Sequence, residues 1–230
     1  MGRASDRVLV VFVRLPRPGA VKTRLAAAIG PEAAAGLYRA LAERVLEATT
    51  PAGEYERLVF FDPPEALAEM RAWLPGVRLL AQRGGDLGER MSDAFSRAFA
   101  RGAGRVAIVG TDALGISQET VTEALSALDE AEVVIGPTED GGYCLVALRA
   151  PRPELFSGIA WSTPTVAAET RARAREAGLA VRELAHRRDI DTVDDLRAEW
   201  PAVRAVLVRQ PALLDTLARV VGGLPRSGVR

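Results

Sequence analysis

Val8-Leu9-Val10-Val11-Phe12-Val13 is an unbroken apolar, β-branched run, closed by Pro16, Pro18 and Gly19. A strand with one wet face would alternate apolar and polar residues. A run with no polar position reads instead as a strand covered on both faces, as in a parallel sheet packed between helices. The residues that follow, Pro16-Arg17-Pro18-Gly19-Ala20-Val21-Lys22-Thr23-Arg24-Leu25, form a loop that enters a short helix at about residue 23. In an open parallel sheet such a loop leaves the carboxyl edge of its strand, where ligands bind.

The same rhythm continues outward. Apolar strands are expected at residues 58–61, 77–81, 106–109 and 133–136, with helices at 32–48, 65–73 and 118–128 between them. After Gly84-Gly85-Asp86, the residues Leu87, Met91, Ala94, Phe95 and Ala98 recur at helical spacing and give one apolar face. This alternation predicts an α/β, three-layer α/β/α sandwich with a mainly parallel sheet and right-handed crossovers. Beyond residue 136 the rhythm changes. A strand at 143–148 follows a Gly-Gly turn rather than a helix; a helix at 165–177 stops at Gly178; a strand at 179–184 and a short helix at 193–200 follow. From Pro201 on, the pattern is weakly helical, with five arginines against one aspartate. It reads as a peripheral, solvated tail, dividing the chain into a main domain at 1–200 and a helical tail at 201–230.

Composition narrows the chemistry. A chain of 230 residues buries about 70–75% of its unfolded surface and needs no staple. Thirty basic residues balance thirty acidic ones, which argues against a nucleic-acid partner. Twenty-nine of the basic residues are arginine and only Lys22 is lysine; asparagine is absent; His186 and Cys144 stand alone. A disulfide within the chain, a Cys/His zinc site and an N-glycosylation acceptor are all excluded. The arginine excess reads as a compositional bias. The start, residues 1–6, is short and polar with no apolar run behind it, and no apolar run approaches the ~20 residues of a membrane span. A cytoplasmic enzyme with no membrane partner is the expectation.

Six stretches could carry chemistry. Lys22 and Arg24, with the helix start after Gly19, suit phosphate oxygens, although Pro16 and Val21 stand where a Walker loop needs glycine. Asp112, just past a buried strand in Gly110-Thr111-Asp112, is placed to hold Mg²⁺ against phosphates, or else caps a turn. Asp189 and Asp191 share one face if residues 188–191 are extended, and could complete a metal site with Asp112. Thr192, Asp194 and Asp195 read as the cap and first turn of a helix. Glu139-Asp140-Gly141-Gly142-Tyr143 puts two acids before a pair of permissive glycines, either a ligand-facing turn or a solvated hairpin. Gly84-Gly85-Asp86-Leu87-Gly88-Glu89-Arg90-Met91-Ser92 could wrap a base or ribose through Gly85, Asp86, Arg90 and Ser92, or be no more than a helix cap. Trp161, in Trp161-Ser162-Thr163, reads as core more readily than as a ligand platform. Cys144 reads as a small buried apolar residue, and His186 lacks the partners of a hydrolase triad.

Taken in order, VFVRLPRPGAVKTRLA, GGDLGERM, VGTDALGIS, GPTEDGGYCLVAL, WSTPTV and RDIDTVDDL resemble a bacterial family known as DUF2064, or rSAM/selenodomain-associated glycosyltransferase-like proteins. The resemblance spans roughly residues 8–200. It implies the GT-A fold of the nucleotide-diphospho-sugar transferase superfamily. The Lys22–Leu25 segment is also similar to the start of 2-phospho-lactate guanylyltransferases, and GGDLGERMS to a base-contacting loop of cytidylyltransferases. By that likeness Lys22 and Arg24 would face phosphates, Asp112 would hold a metal with Asp189 or Asp191, and Asp140 to Tyr143 would line an acceptor pocket. The family's usual Cys-Pro after Gly-Thr-Asp is replaced by Ala113-Leu114.

The expectation is a Mg²⁺- or Mn²⁺-dependent transferase acting on a nucleotide and a small-molecule acceptor. Lys22 favours nucleotidyl transfer from an NTP to a phosphorylated acceptor. Glycosyl transfer from a sugar nucleotide, with Asp140 or Glu139 as base, is the alternative, followed by a nucleotide-binding module without catalysis. An RNA partner for Arg204, Arg209, Arg219, Arg226 and Arg230 is the weakest reading.

Overall fold

The computed structural model describes residues 6–223. The elements run β1 (Arg7–Arg14), α1 (Thr23–Ile29), α2 (Pro31–Ala48), β2 (Glu56–Asp62), α3 (Leu67–Trp73), β3 (Leu79–Ala81), α4 (Leu87–Phe99), β4 (Arg105–Val109), α5 (Gln118–Ala127), β5 (Val133–Pro137), β6 (Tyr143–Leu148), α6 (Val166–Glu176), β7 (Val181–Glu183), α7 (Val193–Ala198), α8 (Trp200–Val206) and α9 (Pro211–Val221). The sheet order is β3-β2-β1-β4-β6-β5-β7. β6 runs antiparallel to β4 and β5, and the other pairs are parallel.

Strand β1 explains the sandwich. Its residues alternate between faces, yet both faces are buried. Leu9, Val11 and Val13 join Val45, Met70 and Leu125, from α2, α3 and α5, on one side of the sheet. Val8 and Val10 join Met91 and Phe95 of α4 and Ala174 of α6 on the other. The expected three layers are therefore present.

The single reversed strand places the site. β5 points the same way as β4, so it ends on the same sheet edge, and β6 starts there. The Glu139-Asp140-Gly141-Gly142 turn that joins them thus sits on the edge that also carries the ends of β1, β2 and β4. A helical crossover would instead have started β6 at the far edge and left the turn open on that side.

Residues beyond 200 depart from the expected peripheral tail. Val203, Leu207 and Leu217 are fully buried, packed with Leu25, Leu37 and Leu41 of α1 and α2 and with Ile190. Gly36 of α2 shows how closely they approach, since a Cβ there would lie 3.2 Å from Leu213. The helix ends are set by Pro201 and Pro211 in first turns, and the exposed arginines mask the apolar stripe between them. Arg226 and Arg230 lie outside the described residues. Among the described residues no helix is long and apolar enough to cross a membrane.

Truncating Leu217 to alanine should cost about 2–5 kcal/mol in urea unfolding, whereas Val208→Ala, at a side chain 70% exposed, should stay within about 0.5 kcal/mol.

Candidate active site

The last described stretch before α7 reaches the site by pairing along β5 and its extension. Leu184 N–H donates to Ile135 O at 2.9 Å, Arg187 N–H to Pro137 O at 3.0 Å, and Glu139 N–H back to Arg187 O at 3.1 Å. Arg187 is pinned by its side chain to Gly115 O and the Thr120 hydroxyl. Ile190 N–H then donates to Asp112 O at 3.1 Å. That bond lays Ile190 into the helical cluster, at 0% exposure, and leaves Asp189 and Asp191 on the opposite side, as alternation in an extended chain requires. Thr192 caps α7 in a capping box with Asp195, as expected.

Lys22 is where the structure departs most from expectation. Its side chain is 3% exposed and does not line the cleft. The ammonium lies 2.5 Å from Asp112 Oδ1 and 2.7 Å from Asp191 Oδ1. Burial alone would lower its pKa, but the two carboxylates outweigh that and raise it above the usual lysine value. Lys22 also holds a left-handed backbone, φ 49°, at the N-cap of α1, which is uncommon outside glycine and asparagine. Asp191 is engaged twice, since Arg24 donates to its other oxygen at 2.8 Å. Burial opposes its charge, but Lys22 and Arg24 hold its pKa below the carboxylate norm.

Asp189 is different. Its Oδ1 is buried with no hydrogen-bond partner. Burial, then the nearby Asp112 charge, pushes its pKa up to about 7. Asp112 Oδ1 is buried too, with no partner beyond the Lys22 ion pair. The expected set of three metal ligands is thereby divided. Among the described residues no three His, Cys, Asp or Glu side chains converge on one point. Asp191 is held by both Lys22 and Arg24 and Asp112 by Lys22 through one oxygen, while Asp189 brings an unpartnered oxygen to the same end of the cleft. Two carboxylates suffice for a Mg²⁺ that takes its other ligands from phosphates and water, so the donor set fits such an ion.

Around this floor lies a cleft of about 610 Å³. Arg24, Asp112, Asp140, Asp189 and Asp191 line it, as do Gly85, Asp86 and Arg90. Asp140 Oδ1 holds its own turn, accepting from the Thr138 hydroxyl at 2.6 Å and Gly142 N–H at 3.1 Å. Asp86 is the N-cap of α4, accepting from Glu89 N–H at 2.8 Å. Leu87, Arg90 and Met91 share the cleft-facing side of α4 by their i, i+3, i+4 spacing, and Ser92 falls one step round the helix, outside the lining. Gly19 lies in an exposed turn at φ 79° and is not part of the lining either.

Trp161 both packs and lines the cleft. Gly88 makes room for it, since a Cβ there would lie 2.8 Å from the indole and 2.5 Å from Phe156 O. Gly141 makes room for the same loop, because a Cβ would meet Pro164 O at 2.0 Å. Cys144 is 6% exposed, its thiol pushed up to about 12 by burial first. Ala113 is fully buried and Leu114 packs on the helical cluster, so the residues standing for Cys-Pro anchor the turn through apolar contacts.

Several residues in or behind the cleft wall went unnoticed in the sequence. Tyr38 OH, from α2, accepts from Arg14 N–H at 2.7 Å and from the Thr111 hydroxyl at 3.1 Å. Burial, with Asp112 nearby, raises its pKa to about 12. Asp62, at the end of β2, pairs with Arg14 at 3.1 Å and Arg90 at 3.2 Å. The position of Asp62 just past a buried strand, like that of Asp112, was a usable signal.

A family model described as an uncharacterized protein conserved in bacteria, DUF2064, matches residues 45–163, just over half of the chain. The chain belongs to the DUF2064 family. Two curated relatives are named phosphoenolpyruvate guanylyltransferase. The one from Sphaerobacter thermophilus is 30% identical over 194 residues, covering 81% of this chain and 90% of the relative. The one from Chloroflexus aggregans is 30% identical over 204 residues, covering 84% and 98%. A crystal structure from Desulfovibrio desulfuricans, named for a nucleotide-diphospho-sugar transferase, superposes with a TM-score of 0.82 at 34% identity, over 93% of this chain and 98% of that one. This DUF2064 chain therefore has the nucleotide-diphospho-sugar transferase fold and is an enzyme of the nucleotidyltransferase class.

Replacing Lys22 with the uncharged, similarly long methionine leaves Asp112 and Asp191 facing each other. The expected cost is roughly 1–3 kcal/mol in chemical unfolding, below the 3–5 of a fully buried pair because both acids keep a third or more of their side chains in water. Asp189 sets a pH dependence in chelator-treated protein. Folded, it keeps its proton to about pH 7; unfolded, it loses it near the ordinary aspartate value of 3.8. Between those values the folded state binds the extra proton, so stability falls as pH rises from about 4 to about 7. Asp189→Asn should remove that fall and melt higher than wild type at pH 8. A wild-type melting curve with no greater loss than the variant's over this range would contradict the burial assigned to Asp189.

Proposed function

We propose that the chain transfers a nucleotidyl group from an NTP to a small phosphorylated acceptor. One observation carries the reading: Asp112, held at one oxygen by Lys22, and Asp189, whose buried oxygen has no partner, stand at the carboxyl edge of the sheet beside an exposed arginine. Such a pair suits a cation-bound polyphosphate. The names of the two guanylyltransferase relatives make GTP and phosphoenolpyruvate the first substrates to try.

In the reaction an acceptor phosphate oxygen attacks the α-phosphorus of the NTP. The bond to the β-phosphate oxygen breaks and pyrophosphate leaves. Asp112 and Asp189 would hold Mg²⁺ or Mn²⁺, which supplies charge neutralisation on the phosphate oxygens when bound. Lys22 keeps Asp112 and Asp191 in place from below and stays out of contact with the phosphates in this arrangement. Arg24, oriented by Asp191, offers its remaining donors to phosphate oxygens. Asp140 and Tyr143 line the wall on which the acceptor would rest.

Incubation with GTP and a phosphorylated carboxylic acid should release pyrophosphate, and EDTA should abolish the release. Asp112→Asn should lower kcat by about 10²–10³-fold while leaving the fold intact by circular dichroism. Release of a nucleoside diphosphate from a sugar nucleotide, with no pyrophosphate from any NTP, would transfer the assignment to the glycosyl branch.

A further inference from the structure

At the β2 end of the cleft, across from Asp112 and Asp189, Asp62 brings two arginines together. It is the last residue of β2, paired in register with Arg14 of β1, and is 8% exposed. A single oxygen, Oδ2, takes Arg14 Nε at 3.1 Å and Arg90 Nη1 at 3.2 Å. Arg90 is fixed a second time by its Nε donating to Gly84 O at 3.2 Å. Gly84 permits this at φ 130°, where a Cβ would lie 2.7 Å from Arg90 N. One buried carboxylate therefore orients two guanidiniums, both of which line the cleft and keep further N–H donors.

A second observation lies beside them. Leu87 lines the cleft rim with 44% of its surface open, one of two large apolar side chains so exposed among the described residues. Phe12 and Met91 line the same end. A flat, largely apolar group with acceptors on one edge fits this surface. β2 and β4 are separated by one strand, so the ends carrying Asp62 and Asp112 lie about 10 Å apart. A ribose and its first phosphates bridge that gap, which puts the base of the nucleotide at the arginines when its phosphates lie at the acids.

Resting on the nucleotidyl reading above, we propose that Arg90 and Arg14, held by Asp62, read the edge of a 6-oxopurine and make the enzyme selective for GTP. Guanidinium groups only donate. Guanine presents the O6 and N7 acceptors side by side, which a planar fork meets with two bonds, whereas adenine and cytosine put an amino donor there. An amino base would leave guanidinium donors desolvated and unpaired, a larger penalty than a missing contact. Uracil offers one carbonyl without the adjacent N7. Asp62 is a positioning residue in this scheme, because its oxygen acts through the arginines.

Calorimetric binding of GTP, ITP, ATP and UTP to the full chain, with GMP, IMP and AMP as probes of the base end, tests this. Wild type should bind GTP and ITP at least tenfold more tightly than ATP or UTP, and GMP and IMP more tightly than AMP. Arg90→Met should weaken GTP about 10- to 100-fold and leave ATP within twofold. Arg90→Lys, which keeps the charge and loses the fork, should not restore GTP. Equal losses for GTP and ATP in Arg90→Met would make the arginine a phosphate contact and overturn the proposal. Wild-type binding of NTPs with no preference for the oxo base would overturn it alone, whereas binding of no nucleotide at all would remove the nucleotidyl reading with it.

Discussion

The buried ammonium of Lys22, between Asp112 and Asp191, is the contact on which the site depends. It joins three segments far apart in the chain: the loop after β1, the loop after β4, and the stretch before α7. Without a cation there, two acids on neighbouring loops would repel at short range and the loops would part. The backbone bond from Ile190 to Asp112 works in the same direction and couples the ion pair to the helical cluster. The helices beyond residue 200 therefore support the chemistry at one remove, by burying Ile190 between two aspartates that face the cleft.

This arrangement explains the division of labour among the acids. Asp191 is neutralised by Lys22 and Arg24 and serves as a strut. Asp189 has no such partner, and its charge is suppressed by burial and by Asp112. A cation that met Asp112 and Asp189 would relieve an existing cost, so the site is prepared for positive charge before any arrives. At the opposite end Asp62 does the reverse, gathering positive charge around one carboxylate. Carboxylate oxygens face one end of the cleft and oriented guanidinium donors face the other, a layout suited to a ligand whose two ends differ.

Close backbone approach is the second constraint. Gly88 admits Trp161 and Gly141 admits Pro164, so the loop at 161–164 packs on both the α4 start and the β5–β6 turn. Ala167 N–H donates to Gly141 O at 3.0 Å and secures the second of these contacts. Ser162 takes a left-handed backbone, φ 65°, at the point where the loop lines the cleft. Larger residues at Gly88 or Gly141 would push the loop outward and open the wall.

Local pattern determined a good deal by itself. The unbroken apolar run of β1 required cover on both faces, and hence three layers, because no residue in it tolerates water. Helical spacing in α4 and the Thr192–Asp195 cap are short-range properties that hold wherever the segments sit. Asp112 and Asp189 were visible as acids beside buried strands or extended chain. What local pattern could not carry was partnership. Lys22 looked like a phosphate ligand because nothing within its own loop shows that two carboxylates, 90 and 169 residues away, capture it from below. The tail looked peripheral because its apolar residues are interleaved with arginines, and only the surface of α1 and α2 reveals which face they cover. Asp62 went unnoticed because nothing near it in sequence shows that Arg14 and Arg90 converge on its carboxylate. Charge pairing and burial are set by what lies across space, and in this chain the reversed strand β6 and the closing helices decide which groups meet.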